Sequence, residues 1–426
     1  EDVKVKDIDN KIELLENYFD IEYNIDQKKA IKQALTKNFS IITGGPGTGK
    51  TTIIKGITQL FKMVTGYSPE KLEEKMILLA PTGRAAKRMS EACLYPASTI
   101  HRYLKWNKDT NEFGLNERNK SKAEFVILDE VSMIDTELMT NLFKALPLNV
   151  KMVFIGDHNQ LESVGPGKVL KDFIDSEIIN TIFLKEIYRQ NTNSYITELA
   201  YEINTGELDE SFLSKKDDYN FIKCDSHDVL KAACDVCKMA IKKGYDIKNI
   251  QVLAPIYKGQ NGIDNLNKYL QDIFNPKLKS KDEVHEINAT YRVGDKILQL
   301  ENRIDDNVFN GDIGFIEKIN GDEITINFDD NRVKYTKQDY KSIKHGYAVS
   351  VHKAQGSEFD IVIMPVVKEY YSMLYKKLIY TAVTRAKKSL ILIGDPVCFN
   401  KAVYNQGIRE RNTMLKELLI DAIYRI

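Results

Sequence analysis

The sequence predicts an α/β protein: two doubly wound parallel sheets in tandem, the second interrupted by a small antiparallel barrel. Three observations carry this. The run Phe39-Ser-Ile-Ile-Thr-Gly-Gly-Pro-Gly-Thr-Gly-Lys-Thr-Thr52 is apolar and β-branched, then Gly-rich, then helix-opening. Apolar runs suited to buried strands recur with helical stretches between them, at 75–80, 124–128 and 151–155, and again at 249–256, 347–352, 361–367 and 390–394. Among the later runs, residues 291–345 change to short alternating strands, with Asn320-Gly321 as a hairpin turn between 314–319 and 323–328.

At 426 residues, with 43 % hydrophobic and 29 % charged, the chain has the size and composition of several globular domains. No apolar run approaches the ~18 residues of a membrane span. The start, Glu1-Asp2-Val3-Lys4, is no secretory signal and lacks an initiator Met, which fits a fragment of a longer protein. Five cysteines (Cys93, Cys224, Cys234, Cys237, Cys398) are too scattered for a disulfide framework, so a reducing cytoplasm is expected. Cys234 and Cys237 fall inside an amphipathic helix with no second Cys/His pair at zinc spacing, so no metal site is expected there. The net charge of zero offers no global argument for nucleic acid. Locally, residues 101–122 carry six Lys/Arg against three Asp/Glu, and 368–388 carry six against one with four tyrosines interleaved. Such stretches are solvated faces or grips for single strands.

Taken in order, residues 1–22 read as an amphipathic helix with Ile8, Ile12, Leu15 and Phe19 inward. Asp26 is the expected N-cap of a helix reaching Thr36, and Gln27 on its first turn presents a donor and an acceptor suited to the adenine edge. Gly44 to Thr51 fits G-x-x-x-x-G-K-[ST]. Backbone amides of Gly45, Pro46-flanked Gly47, Thr48 and Gly49 converge on phosphate, Lys50 reaches the β/γ-phosphates, and Thr51, followed by Thr52, ligates Mg²⁺. Phe125-Val-Ile-Leu-Asp-Glu130 delivers Asp129 to Mg²⁺ and Glu130 to the attacking water, which favours hydrolysis over binding alone.

Further stretches stand in the order of superfamily 1 helicases and most resemble the stand-alone RecD-like DNA helicases. They are Ala80-Pro-Thr-Gly-Arg-Ala-Ala-Lys87, Ser98-Thr-Ile-His101, Asp129-Glu-Val-Ser-Met133 and Gly156-Asp-His-Asn-Gln-Leu-Glu-Ser-Val-Gly-Pro-Gly167, then Ile187-Tyr-Arg-Gln190, Leu253-Ala-Pro-Ile-Tyr-Lys-Gly259, Tyr347-Ala-Val-Ser-Val-His-Lys-Ala-Gln-Gly356 and Tyr380-Thr-Ala-Val-Thr-Arg-Ala-Lys387. The resemblance covers roughly residues 24–396. It implies two RecA-like P-loop NTPase domains, a β-hairpin pin and an inserted SH3-like barrel. The expected division is a helical lead-in at 1–23, domain 1A at 24–190 with the pin in 101–122, domain 2A at 191–290 and 346–426, and domain 2B at 291–345. That class usually has a long N-terminal region, whereas roughly two dozen residues precede Gln27 here.

The resemblance makes Arg189 and Arg385, two of only twelve arginines, charge stabilisers of the transferring phosphoryl group, and Gln160 a γ-phosphate sensor. It assigns Tyr188, Gly356 and Glu358 to the nucleotide, Tyr188 serving equally well as a core tyrosine. Pro81, Thr82, His101, Tyr257, Lys258, Ser350 and His352 are assigned to single-stranded nucleic acid, although isolated His or Thr side chains are as often structural. Trp106, Asp109 and Phe113 form the pin, with 103–106 pairing against 112–115. The implied activity is an ATP- and Mg²⁺-dependent DNA helicase moving 5′→3′ on single strands in the bacterial cytoplasm, at the nucleoid, in DNA repair or recombination. Its implied partners are single-stranded DNA, duplex or fork junctions, and a single-stranded-DNA-binding protein. Two alternatives stay open: an RNA helicase, since stacking and phosphate contacts do not select deoxyribose, and a non-unwinding, strand-stimulated ATPase switch.

Overall fold

The computed structural model describes residues 5–107, 110–186, 194–287, 289–303, 305–329, 331–407 and 411–424. The chain forms two compact units, residues 1–192 with 409–426 and residues 193–408.

Unit 1 begins with helices α1 (Val5–Phe19) and α2 (Ile25–Thr36). Asn24, rather than Asp26, caps α2. Its side chain accepts from the Gln27 backbone N–H while Gln27 Oε1 accepts from the Asn24 N–H, a reciprocal capping box. Strand β1 (Phe39–Gly44), helices α3 (Lys50–Thr65) and α4 (Pro69–Lys75), β2 (Met76–Ala80), α5 (Gly83–Cys93), β3 (Ala97–Thr99) and the short α6 (Ile100–Tyr103) follow. Then come the small strands β4 (Trp106–Asn107) and β5 (Glu112–Phe113), β6 (Phe125–Leu128), α7 (Thr136–Ala145), β7 (Lys151–Gly156), α8 (Val169–Asp175) and β8 (Asn180–Leu184).

Six strands make one parallel sheet in the order β3-β2-β6-β7-β1-β8. Alternate residues serve opposite faces. Ile42, Leu78, Ile127 and Ile155 join a core with Ile8, Ile12 and Leu15 of α1 and with α2, α3 and α5. Ile41, Leu79, Leu128 and Phe154 join a second core with α7 and α8. Both faces are covered, which is why the strands read as continuous apolar runs.

Unit 2 contains α9 (Tyr195–Thr205), β9 (Tyr219–Lys223), α10 (Val229–Lys242), β10 (Ile250–Leu253), α11 (Ile263–Phe274), a hairpin β11 (Glu283–His285)–β12 (Thr290–Arg292) and strands β13 (Lys296–Gln299) to β17. These are β14 (Ile313–Asn320), β15 (Glu323–Phe328), β16 (Asn331–Tyr335) and β17 (Ile343–His345), in the antiparallel order β16-β15-β14-β13-β17. The Asn320-Gly321 turn joins β14 to β15, with Gly321 at φ +58°. Val284 and Tyr291 complete this small core, so the inserted element begins before the expected position 291. Then β18 (Ala348–Val349), β19 (Phe359–Val366), α12 (Lys376–Val383), β20 (Ala386–Gly394) and α13 (Pro396–Tyr404) finish a parallel sheet in the order β18-β10-β19-β20-β9. Cys234 and Cys237 lie in α10, burial pushes both thiols up, and no metal cluster is present among the described residues.

Asp295, fully buried, ties α11 and β18 to the inserted strands. It accepts from Gln271 Nε2 (2.6 Å), Asn275 Nδ2 (2.7 Å), the Arg292 backbone N–H (2.7 Å) and the Tyr347 hydroxyl (2.9 Å), and faces His345 Nε2 at 3.2 Å. Burial alone would raise its carboxyl. The hydrogen bond and charge of His345, with the Asn275 and Arg292 donors, outweigh burial and hold it below the usual range. Asp295→Ala strands all these donors, and chemical denaturation is expected to show a loss of about 3–5 kcal/mol. A carboxyl with a depressed folded pKa stabilises above its unfolded value of about 3.9 and loses that contribution as pH falls through the folded value. The wild-type protein should therefore lose more stability than the variant below about pH 4.

The sequence reading carries the second domain to residue 426. Instead the chain re-enters unit 1, where α14 (Leu415–Tyr424) packs on α8 with Leu415 and Leu419 against its core. No helix among the described residues is long and apolar enough to cross a membrane.

Candidate nucleotide site and strand-binding edges

The carboxyl ends of neighbouring strands β6, β7 and β1 gather the candidate nucleotide residues of unit 1. Between β1 and α3 the chain turns through Gly47 (φ +76°) and Gly49 (φ +82°), a left-handed backbone that side chains with a Cβ rarely adopt. A Cβ on Gly49 would stand 2.4 Å from Gln27 Nε2, and one on Gly44 2.7 Å from Thr48 Oγ1. Lys50 Nζ donates to Gly44 O (2.7 Å) and Gly45 O (2.8 Å), so the ammonium already lies over the loop. Thr48 Oγ1 donates to Gly45 O, and Pro46 continues the loop. Thr51 and Thr52 stand on the first turn of α3, Thr51 exposed.

Gln27 is 3 % exposed, and its amide is hydrogen-bonded within the protein. Nε2 donates to Thr48 O (3.2 Å) and Oε1 caps Asn24. In this arrangement Gln27 braces the phosphate loop.

Asp129 and Glu130 follow β6. The Asp129 N–H bonds Leu79 O, and Glu130, at φ +52°, donates its own N–H to Asp129 Oδ1 (2.8 Å). This left-handed residue turns the chain sharply and separates the two carboxylates. Burial first, then the Glu130 charge, push the Asp129 carboxyl up to about 7 against the opposing pull of Lys50 and Arg88. Arg88 Nη2 lies 3.7 Å from Glu130 Oε1. Gln160 Nε2 donates to Asp157 Oδ2 (3.1 Å), while its Oε1 is buried without a hydrogen-bond partner. An unpaired buried acceptor at the mouth of such a site fits an ordered water.

Hard oxygen donors from Asp129 and Thr51 suit Mg²⁺, which is ordinarily held by one or two protein oxygens with phosphate oxygens and waters completing the shell. The desolvated, mutually repelling Asp129–Glu130 pair likewise fits a neighbouring cation.

The strand-binding candidates follow the two outermost adjacent strands of each sheet. In unit 1, Pro81 and Thr82 come after β2 and His101 after β3, its parallel neighbour. Thr82 caps α5, its Oγ1 accepting from the Ala85 N–H. His101 is depressed by burial, with partial opposition from Asp135, and its ring sits 6.0 Å from Phe113 and 6.3 Å from Trp106. In unit 2, Tyr257 and Lys258 come after β10, and Ser350 and His352 after β18, again parallel neighbours. Tyr257 is 40 % exposed with Lys344 Nζ 5.1 Å from its ring centre, and Ser350 is buried, accepting from the Lys353 N–H.

The pin segment is a short antiparallel ladder. Trp106 pairs with Phe113, their rings 4.6 Å apart, and the hydrogen bonds continue from Gly114 N–H to Lys105 O and Leu115 N–H to Leu104 O. Tyr103, expected on the first strand, belongs instead to α6 and packs on the core with Phe113 and Leu115. Asp109 lies outside the described residues, as do Tyr188 and Arg189. Arg385 follows α12, 3 % exposed, and uses three of its five N–H groups on Thr381 O, Ser357 O and Thr384 Oγ1. Gly356 is buried at φ +70°, and Glu358 pairs with Lys387 at 3.4 Å.

Sequence reasoning missed Arg88 and Asn24. The Asn-x-x-Gln spacing at 24–27 carried the capping signal for Asn24.

Three family models match: an AAA domain over residues 22–227, an ATP-dependent RecD-like DNA helicase SH3 domain over 266–328, and a UvrD-like helicase C-terminal domain over 345–393. The chain is 33 % identical over 392 residues to the ATP-dependent RecD2 DNA helicase of Deinococcus radiodurans, covering 92 % of this chain and 52 % of that protein. It therefore spans about half of that relative's length. It is 28 % identical to the RecBCD enzyme subunit RecD of Buchnera aphidicola subsp. Schizaphis graminum, covering 92 % and 76 %. Among solved structures, Bacteroides Pif1 bound to ssDNA shares the fold at a TM-score of 0.55, with 17 % identity over 95 % of this chain and 97 % of that one.

Proposed function

We propose that the chain is a RecD-like superfamily 1 helicase, an ATP-dependent DNA helicase translocating 5′→3′ on single strands, a reading supported by its similarity to the RecD-like SH3 domain model and to the RecD2 helicase. One observation supports this above the others. Each unit carries its strand-binding candidates after an outermost pair of parallel strands, and in unit 1 the candidates Lys50, Thr51, Asp129, Glu130 and Gln160 follow the neighbouring strands β1, β6 and β7.

On this reading the loop 44–50 binds the phosphates, Lys50 leaving its carbonyl partners for the β/γ oxygens. Asp129 and Thr51 would hold Mg²⁺, which when bound would neutralise developing phosphate charge. Glu130 orients and deprotonates the attacking water, and Gln160 holds that water through its unpaired Oε1 and reports hydrolysis to the strand. Arg385, with Arg189, stabilises the transferring phosphoryl group. Pro81, Thr82 and His101 grip the strand in one unit, Tyr257, Lys258, Ser350 and His352 in the other, and alternating grip gives net movement. The work belongs to DNA repair or recombination in the cytoplasm, on forks or tailed duplexes, with a single-stranded-DNA-binding protein as partner.

The test measures ATP turnover and unwinding on DNA and RNA duplexes bearing a 5′ or a 3′ tail. Unwinding of the 5′-tailed DNA is expected, with strand affinity falling with salt at a slope of about −0.7 per neutralised phosphate. Unwinding of only 3′-tailed duplexes overturns the polarity, and preference for RNA overturns the substrate. Strand-stimulated turnover without any unwinding favours the ATPase switch.

A further inference from the structure

The loop that follows Gln160 is held from two sides. On one side it rests against the start of α7: the Thr136 N–H donates to Pro166 O (2.9 Å), and Asp135 caps α7 through the Leu138 N–H. No room exists there for larger residues, because a Cβ on Gly165 would meet Asp135 Oδ2 at 2.2 Å and one on Gly167 would meet Thr136 Oγ1 at 2.1 Å. Asp135 and Thr136 follow Asp129-Glu130 by one short helical turn (Val131–Met133).

On the other side stands Arg411, from the returning C-terminal segment. Its Nη1 donates to Gly165 O (2.6 Å), Gly167 O (2.7 Å) and Ser163 Oγ (3.2 Å), its Nη2 to Ser163 O, and its Nε lies 3.2 Å from Glu162 Oε2. One guanidinium thus satisfies three carbonyls of a single loop, which a lysine ammonium cannot reproduce in geometry. The strap is secured beyond Arg411 by Thr413, whose hydroxyl donates to Asp172 Oδ2 of α8 (2.6 Å), and by Leu415 and Leu419 on the core.

We propose that Arg411 is a positioning residue for ATP hydrolysis. By clamping residues 162–167 onto the start of α7, it fixes Gln160 relative to Asp129 and Glu130. This rests on the helicase reading of the site. A loop released on one side keeps its glycines and its contact with Thr136 but lets Gln160 wander, and small misplacements of a positioning group cost roughly tenfold to a hundredfold in turnover.

The test compares the wild-type protein with Arg411→Ala, Arg411→Lys and Thr413→Ala. It measures ATP turnover at saturating oligodeoxythymidylate, KM for ATP, strand affinity, melting temperature and amide hydrogen exchange of residues 161–168. In Arg411→Ala, exchange in that loop should accelerate and kcat should fall about tenfold, with KM and strand affinity within about twofold. Arg411→Lys should recover less than half of the lost turnover, and Thr413→Ala should show a smaller loss of the same kind. Unchanged exchange and kcat in Arg411→Ala overturn the proposal. So does a loss of kcat matched by equal losses in KM, strand affinity and melting temperature, which marks a merely structural contact. If Arg411→Ala fails to fold, the Thr413→Ala and Arg411→Lys profiles decide by the same criteria. A wild-type protein without strand-stimulated turnover refutes the helicase reading, and the exchange data then judge the clamp on their own.

Discussion

ATP turnover is expected to fall by at least about a thousandfold in either Lys50→Ala or Glu130→Gln, yet the two variants should separate in nucleotide binding. Lys50 is the one loop side chain whose charge already sits over the phosphate cradle, 2.7 and 2.8 Å from two of its carbonyls. Its removal takes away ground-state binding and transition-state charge together, so affinity for ATP should drop along with turnover. Glu130→Gln preserves shape at a left-handed position and removes the proton acceptor together with the charge that faces Asp129 and Arg88. Nucleotide affinity should stay within about threefold of wild type while phosphate release stops. Fluorescent-nucleotide titration beside a phosphate-release assay separates the cases. A Glu130→Gln protein that no longer binds nucleotide would falsify the role given to that carboxylate.

Unwinding of a tailed duplex should collapse, by at least about tenfold, when Trp106–Phe113 is replaced with a short Gly-Ser turn, while strand-stimulated ATP turnover stays within about twofold. Breaking a base-pair step costs about 1.4 kcal/mol, so the obstacle that splits a duplex has to resist displacement. The ladder here is short, but its base is stiff. Trp106 and Phe113 pack at 4.6 Å, His101 abuts both rings, and Phe113 and Leu115 sit on the core beneath. None of the residues proposed for hydrolysis lies in the replaced stretch. A variant that unwinds like its parent shows that this hairpin splits nothing. One that loses ATP turnover as well shows that the segment supports the fold of unit 1.

What the sequence disclosed followed from where the physics is local. Strands buried on both faces leave unbroken apolar runs, so β1, β2, β6, β7, β10, β19 and β20 were all legible. The phosphate loop was legible because its glycines are demanded by backbone geometry at Gly47 and Gly49. The edge strand β9 escaped, since Tyr219-Asn-Phe-Ile-Lys223 mixes polar residues into a short run and has a neighbour on one side only. Tyr103 was misplaced because a single helical turn and a strand of two or three residues leave the same short pattern. The brace from Gln27 to the phosphate loop was not legible, because its acceptor, Thr48 O, lies 21 residues away. Arg411 is the extreme case: its acceptors lie 244–248 residues upstream, and no local pattern reports such a distance. The only hint was an arginine in a chain that otherwise favours lysine.

The discontinuity of unit 1 has a bearing on how the chain is born. At a synthesis rate of about 5–20 residues per second, the roughly 200 residues of unit 2 keep the ribosome busy for about 10–40 s after α8 has emerged. For that interval the face of α8 that α14 covers lies open, and the loop at 162–167 lacks its arginine. Nascent unit 1 therefore has, for that interval, a stretch of core surface that Leu415 and Leu419 have yet to cover. Its final closure waits on a helix that arrives only after its neighbour has been made.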